Sequence, residues 1–214
     1  MRTDTIPSTQ IDPTTLRTAA TIGLGGALIT LVGGTFAQIV TGSTSVSPDN
    51  WSYPFSARAH VLLSVLWALS HVLVFVGLNG LRRSGLAAER RAGVVGVNLA
   101  LAGTAILALG EIASMWLANS TEDAGAAIAI SSLFGVGTLL TAVGMVMFGI
   151  VVIRDRRWSG AGRWAPLAFG LVNVVQLVLG PTDLFFYGII AYGIAASLLM
   201  VAFRGEAATR TGLT

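Results

Sequence analysis

Six stretches of the sequence are long and apolar enough to cross a bilayer as helices: 18–41, 59–81, 93–117, 125–153, 164–180 and 184–203. A hydrocarbon core of about 30 Å needs roughly 17–25 such residues. Glu111 is the only charged residue inside any of the six. With 54% hydrophobic and 11% charged residues, against about 25% charged in a soluble domain, the chain cannot cover itself with polar surface. The expected fold is therefore all-α, a compact bundle of six transmembrane helices in a multi-pass protein of the cell membrane. The first stretch follows a polar segment, MRTDTIPSTQIDPTTLR, and is too long and too rich in glycine for the core of a cleaved signal peptide. It is expected to be a retained span.

Arginine placement orients the bundle. Ten of the thirteen arginines lie in 82–92, in 154–163 and beyond 203, whereas the alternate connections hold Asp49, Glu122, Asp123 and Asp183 with only Arg58. By the positive-inside rule the arginine-rich segments and both termini face the cytoplasm. The chain then divides into an N-terminal tail (1–17), a membrane domain (18–203) and a C-terminal tail (204–214). The longest loop, 41–58, carries the turn signal Pro48-Asp49-Asn50 and the belt-type aromatics Trp51, Tyr53 and Phe55. Glycines recur every seven residues at 96, 103 and 110 on the third stretch and at 137 and 144 on the fourth, a spacing that lets backbones approach where lipid supplies no hydrophobic drive.

Several chemistries are excluded. The absence of cysteine removes disulfides, thiolate metal sites and cysteine nucleophiles, and the absence of lysine removes a retinal-type Schiff base. Two histidines, both on the second stretch, are too few for a typical zinc centre and badly placed for a bis-histidine haem. No metal or other cofactor is expected. The arginines sit in short loops rather than on one basic face, so nucleic acid is not an expected partner.

The polar residues within the spans converge on the outer half. His60, Ser64, Trp67 and His71 are spaced four, three and four apart on one helical face that runs from the outer interface to mid-bilayer. Glu111 lies six residues inside Leu117. Asn173 and Gln176 are three apart on the fifth stretch, Gln38 ends the first, and Asp183 and Tyr187 stand one turn apart at the start of the sixth. An outer-half cavity is expected, lined by His71, Glu111, Asn173, Gln176 and Tyr187 with Trp67 beside them, and with Ser131, Ser132 and Thr138 contributing less. Gln38, Asn173 and Gln176 also suit interhelical hydrogen bonds, and His60, Trp67 and Trp116 suit packing or the interfacial belt. Glu111 and His71 differ, because an ionisable group at this depth is costly unless it has a partner or a task. If the two meet, a neutral imidazole beside a protonated carboxyl is the resting state of lowest cost. Such a carboxyl is a proton donor kept loaded.

The loop WSYPFS (51–56), the helix LLSVLWALSHVLVFVGLNGLRRSG (62–85), the intramembrane Glu111 and the segment RRWSGAGRWAPLAFG (156–170) resemble a group of small six-span proteins common in high-GC bacteria. That likeness covers most of the chain and bears on its topology. In size, in the lack of metal motifs and in the intramembrane acid, the chain also resembles the small integral-membrane terpene cyclases that work beside prenyltransferases. This second likeness implies Glu111 as proton donor, with Trp67, Trp116, Phe186 and Tyr187 as aromatic walls for a cation; His71 joins Glu111 as a catalytic candidate on its depth alone. It implies a lipid-soluble prenylated substrate; Gln38, His60, Asn173, Gln176 and Asp183 are further candidate contacts by their position in the outer half. Two other functions fit the same residues: a small proton-coupled transporter and a non-catalytic accessory protein. A mid-span proline or an internal repeat would favour transport, and neither is evident, since Pro166 falls where a helix starts.

Overall fold

A computed structural model describes residues 12–85, 90–156, 158–180 and 182–209. Most of the expected N-terminal tail, Arg157, Pro181, Arg210, residues 86–89 and the last four residues lie outside that range. Six long helices account for nearly all of it: α1 (Pro13–Thr41), α2 (Ala57–Arg83), α3 (Arg91–Ser114), α4 (Gly125–Arg154), α5 (Ala165–Leu179) and α6 (Phe185–Thr209). All six are long and apolar enough to cross a membrane, counting for α5 the 3-10 segment Gly160–Trp164 that leads into it. Among the described residues there is no strand, only an isolated bridge between Asn50 and Thr121.

The helix ends follow local chemistry. α1 begins five residues before its apolar stretch because Asp12 caps it, accepting from the Thr14 N–H at 2.9 Å, with Pro13 in the first position. Ser56 caps α2, and Arg82 and Arg83 occupy its last turn, where positive charge opposes the helix dipole. α3 runs on as a single 3-10 turn, Met115–Leu117. α6 extends six residues beyond its apolar stretch because Glu206 has a partner: its Oε1 accepts from the Ser159 N–H at 2.7 Å and from the Ser159 hydroxyl at 2.8 Å. On the same end of the bundle Arg90 Nε meets Asp155 Oδ2 at 2.7 Å and joins the two arginine-rich connections.

Each helix packs against its neighbours in sequence, and α6 closes on α1, so the six form a ring; α2 and α6 touch across it only slightly. The end carrying the 42–56 and 118–124 connections is the outer end in the orientation given by the arginines. Glycines set the closest approaches. On the antiparallel pair α3 and α4, Gly96 faces Gly144 and Gly103 faces Gly137, so the seven-residue spacings interlock. Further in, Gly23 of α1 and Gly77 of α2 leave room for Met200 of α6, whose sulfur would lie within 2.7 Å of a Cβ on either glycine.

Met200 belongs to a large cluster that fills the inner half of the ring. Leu78, Leu81, Val97, Phe148, Leu199 and Phe203 in it are at most 1% exposed. The outer surface is apolar as well: Val32, Ile39 and Val178 are 67%, 69% and 69% exposed. Such exposure suits a lipid environment and would be an aggregation hazard in water.

Candidate functional site

Two ionisable side chains are buried inside the ring away from its ends. His71 of α2 and Glu111 of α3 are each 9% exposed, and His71 Nε2 lies 4.0 Å from Glu111 Oε1. That is too long for a hydrogen bond and close enough for a small side-chain rotation to make one. The pairing needs explanation, because His71 is eleven residues further along α2 than His60 while Glu111 is only three from Ser114, the partner of His60. Side chains lean toward the N-terminus of their own helix. α2 runs inward from the outer end, so His71 leans outward; α3 runs the other way, so Glu111 leans inward. The two meet between their backbone levels.

Tyr192 of α6 completes the floor of this site. Its ring stands edge-on to His71, with centroids 6.0 Å apart, and edge-on to Phe169 of α5 at 5.1 Å. One turn beyond Phe169, the Asn173 side-chain N–H donates to the Phe169 carbonyl at 2.8 Å. Eight buried side-chain atoms lack a hydrogen-bond partner among the described residues: His71 Nδ1, Asn173 Oδ1, Tyr192 Oη, Gln176 Oε1, Gln38 Oε1 and Trp67 Nε1, together with Trp158 Nε1 and Arg163 Nε at the inner end. A buried polar group left unpaired costs about 1–3 kcal/mol, so bound water is the ordinary partner for such atoms.

A lateral groove of about 570 Å³ runs between α1 and α2 in the same half, walled by Leu28, Val32, Gly33, Phe36, Phe55 and Leu63. Several of these walls are exposed on the outside of the bundle, so the groove opens toward lipid. Trp67 separates it from the polar site. At 3.6 residues per turn Trp67 lies about 40° round α2 from Leu63 on the groove side and about 40° from His71 on the other. Its indole nitrogen rests against Gly33, where a Cβ would fall 2.8 Å away.

A second hydrogen-bond cluster closes the outer end. Trp51 Nε1 donates to Ser114 Oγ at 2.8 Å, and His60 Nε2 lies 3.0 Å from that oxygen and 3.5 Å from Ser64 Oγ. Main-chain bonds from Trp51 N to Ser120 O (3.0 Å) and from Glu122 N to Asp49 O (2.9 Å) fasten the 42–56 loop over the end of α3. His60 is thus tied into the lid through Ser114 rather than joined to the His71–Glu111 pair.

Of the residues singled out in the sequence, His71, Glu111, Asn173 and Gln176 fall in the outer half of the ring interior, with Trp67 and Gln38 at its edge. Others are not brought to the pair. Trp116 is 79% exposed and Tyr187 52% exposed, both on the outer surface, and Asp183 is exposed in the turn before α6. Tyr187 therefore does not join the expected lining, because the inward face of α6 is the one carrying Phe186, Ile189 and Tyr192, and the groove that the structure does show is lined by other residues. Phe186 itself packs with Ala37, Phe55 and Ile189 beside the groove. Ser131 and Ser132 face outward, and Thr138 is buried. Sequence reasoning gave Tyr192 no role in the site and overlooked Ser114; the signal for Ser114 was its position three residues from Glu111 on one helical face.

No protein-family model, curated protein or solved structure matches this chain.

Proposed function

We propose that this membrane protein is an enzyme that uses Glu111 and His71 as an acid–base pair on a lipid-soluble substrate, most specifically for acid-initiated, metal-independent cyclisation of a prenylated compound. The observation that carries the reading is the buried carboxyl facing a buried imidazole at 4.0 Å, with a packed apolar cluster on the inner side of the pair. A transporter needs a path onward to the inner surface, and fully buried Leu78, Leu81, Phe148 and Phe203 occupy that route. A blind site reached from the bilayer suits a substrate that arrives and leaves through lipid by the α1–α2 groove.

The chemistry balances without a co-reactant. The Glu111 carboxyl transfers its proton to a terminal alkene carbon or an epoxide oxygen, leaving a carboxylate and a carbocation. The π electrons of the next double bond attack that cation and form the ring bond. The final cation loses a proton from a neighbouring carbon to Nε2 of His71, the nitrogen that faces Glu111, and the imidazolium returns that proton to Glu111, so that both groups end the cycle as they began it. The faces of Tyr192, Phe169 and Trp67 stabilise passing positive charge, and a site without bulk water protects the cation from capture.

Purified protein in nanodiscs, assayed against farnesylated and geranylgeranylated aromatic compounds and their epoxides, tests the proposal. Glu111→Gln keeps the shape of the side chain and removes the transferable proton, so it should fold normally and lose turnover. His71→Ala should lower turnover with the fold intact. Full activity of Glu111→Gln, or a wild-type protein inert toward the whole panel, would overturn the reading.

A further inference from the structure

The α1–α2 groove meets a second cavity at its outer end. A pocket of about 260 Å³ lies between the 42–56 loop and the 118–124 connection, lined by Asn50, Ser52, Ser56, Ala57 and Asn119, and Phe55 is a wall of both spaces. Phe55 is 6% exposed and stacks on Phe36 of the groove, with ring centroids 5.9 Å apart. Along α2 the change of character is abrupt: Ser56 and Ala57 belong to the pocket, and Ala59, Leu62, Leu63 and Leu66 belong to the groove. An apolar cleft that gives way to hydrogen-bonding side chains at the outer interface has the polarity profile of an amphiphile.

The chemistry of the pocket favours an anion. It includes the first turn of α2, a 27-residue helix, where the dipole is positive and main-chain N–H groups lack intrahelical acceptors. Ser56 Oγ accepts from the Ala59 N–H at 3.4 Å, which leaves those of Ala57 and Arg58 for another acceptor. Ser52, 4% exposed, borders the pocket with a hydroxyl that makes no hydrogen bond among the described residues. Asp49, Glu122 and Asp123 stand exposed in the same connections, and none of them lines the pocket. Arg58 is exposed beside the junction, between Ala57 of the pocket and Ala59 of the groove and one turn from Leu62, with no ion-pair partner among the described residues. It is the arginine that departs from the inward bias of the others.

We infer that groove and pocket together bind a single-chain lipid phosphate, its hydrocarbon chain between α1 and α2 and its phosphate at the first turn of α2 beside Arg58, with Ser52 donating to a phosphate oxygen. A neutral head group would leave the helix end and Arg58 unused, and a phosphate without a chain would leave the groove unfilled. One cleft between two helices takes one chain. The inference rests on the reading of the groove as the route of a lipid-soluble ligand, and it names the class of that ligand: a chain anchored by its phosphate at the outer interface.

Binding measured without turnover tests it. The full-length protein in dodecyl maltoside, a detergent without phosphate, is titrated with radiolabelled farnesyl phosphate, and unlabelled farnesol, inorganic phosphate and phosphatidylglycerol are tested as competitors. Farnesyl phosphate should bind saturably. Farnesol, with the chain but no charge, and inorganic phosphate, with the charge but no chain, should each compete at least about tenfold more weakly, for farnesol the loss expected when a charge-assisted hydrogen bond is removed. Arg58→Gln should weaken farnesyl phosphate by a similar factor and leave farnesol unchanged, whereas Arg83→Gln at the other end of α2 should alter neither. Ser52→Ala should weaken farnesyl phosphate severalfold at an unchanged melting temperature. Farnesol competing as well as farnesyl phosphate, unchanged affinity in Arg58→Gln, tighter binding of phosphatidylglycerol than of farnesyl phosphate, or no saturable binding by the wild type, as expected if the pocket holds only water, would each overturn the inference. Turnover and its loss in Glu111→Gln report on the catalytic proposal alone, so the two can fail separately.

Discussion

Replacing Gly103 by alanine should destabilise the protein and disturb the site two turns away, although alanine is the better helix former. A Cβ at position 103 would fall 2.5 Å from Thr141 Oγ1 and 2.7 Å from the Thr141 backbone nitrogen, and nearer still to the Gly137 carbonyl. Ordinary contact begins at 3.4 Å, so α3 and α4 must separate locally by about 0.9 Å, the difference between 3.4 and 2.5 Å. Overpacking of this kind costs about 1–3 kcal/mol, and the better propensity of alanine returns about 0.5–1 kcal/mol. The net loss, about 1 kcal/mol at the middle of those ranges and up to about 2.5 kcal/mol, corresponds to a melting temperature lower by roughly 2–10 °C in a chain of this size. Gly135→Ala is the control, on the same helix pair, because nothing lies within 4 Å of a Cβ there. It should stabilise the protein by up to about 1 kcal/mol. Because α3 also carries Glu111, its displacement should alter the 4.0 Å separation from His71 and reduce turnover in Gly103→Ala but not in Gly135→Ala. Thermal unfolding of the two variants in one detergent, followed by circular dichroism, compares the signs directly. Equal stability for both would refute the argument that the glycine register holds α3 against α4.

Two further outcomes bear on orientation and on the lid. The chain has no cysteine, so Ser43→Cys and Ser84→Cys each introduce a single thiol; a membrane-impermeant maleimide added to intact cells should label Ser43→Cys and spare Ser84→Cys, and the opposite pattern would invert the bundle. Trp51→Phe keeps an aromatic side chain, though a smaller one, and removes the 2.8 Å bond to Ser114, which should cost at least about 1 kcal/mol and speed hydrogen exchange in residues 43–56, with unchanged exchange counting against the lid.

Helix number and approximate limits follow from the sequence because hydropathy and end-capping act within a few residues. An apolar run of spanning length, Asp12 before Pro13, and Ser56 before α2 each specify a boundary without reference to the rest of the chain. The glycine spacing is of the same kind, since two seven-residue repeats on antiparallel helices can interlock in few ways. The inward face of each helix is another matter. In water the apolar face of a helix is the buried one, but in a bilayer both the lipid face and the packed face are apolar, and periodicity loses its power to distinguish them. Trp116 and Tyr187 were as eligible as Trp67 and Tyr192 on that basis, and only the packing of α6 against α1 and α5 turns Tyr192 inward and leaves Tyr187 outside. The meeting of His71 with Glu111 is likewise a tertiary event. Residues forty positions apart, at different depths along two helices, come within reach because antiparallel α2 and α3 tilt their side chains toward one another. The unpaired oxygens of Asn173 and Tyr192 were beyond any sequence pattern, because whether a buried group finds a partner depends on every helix that surrounds it.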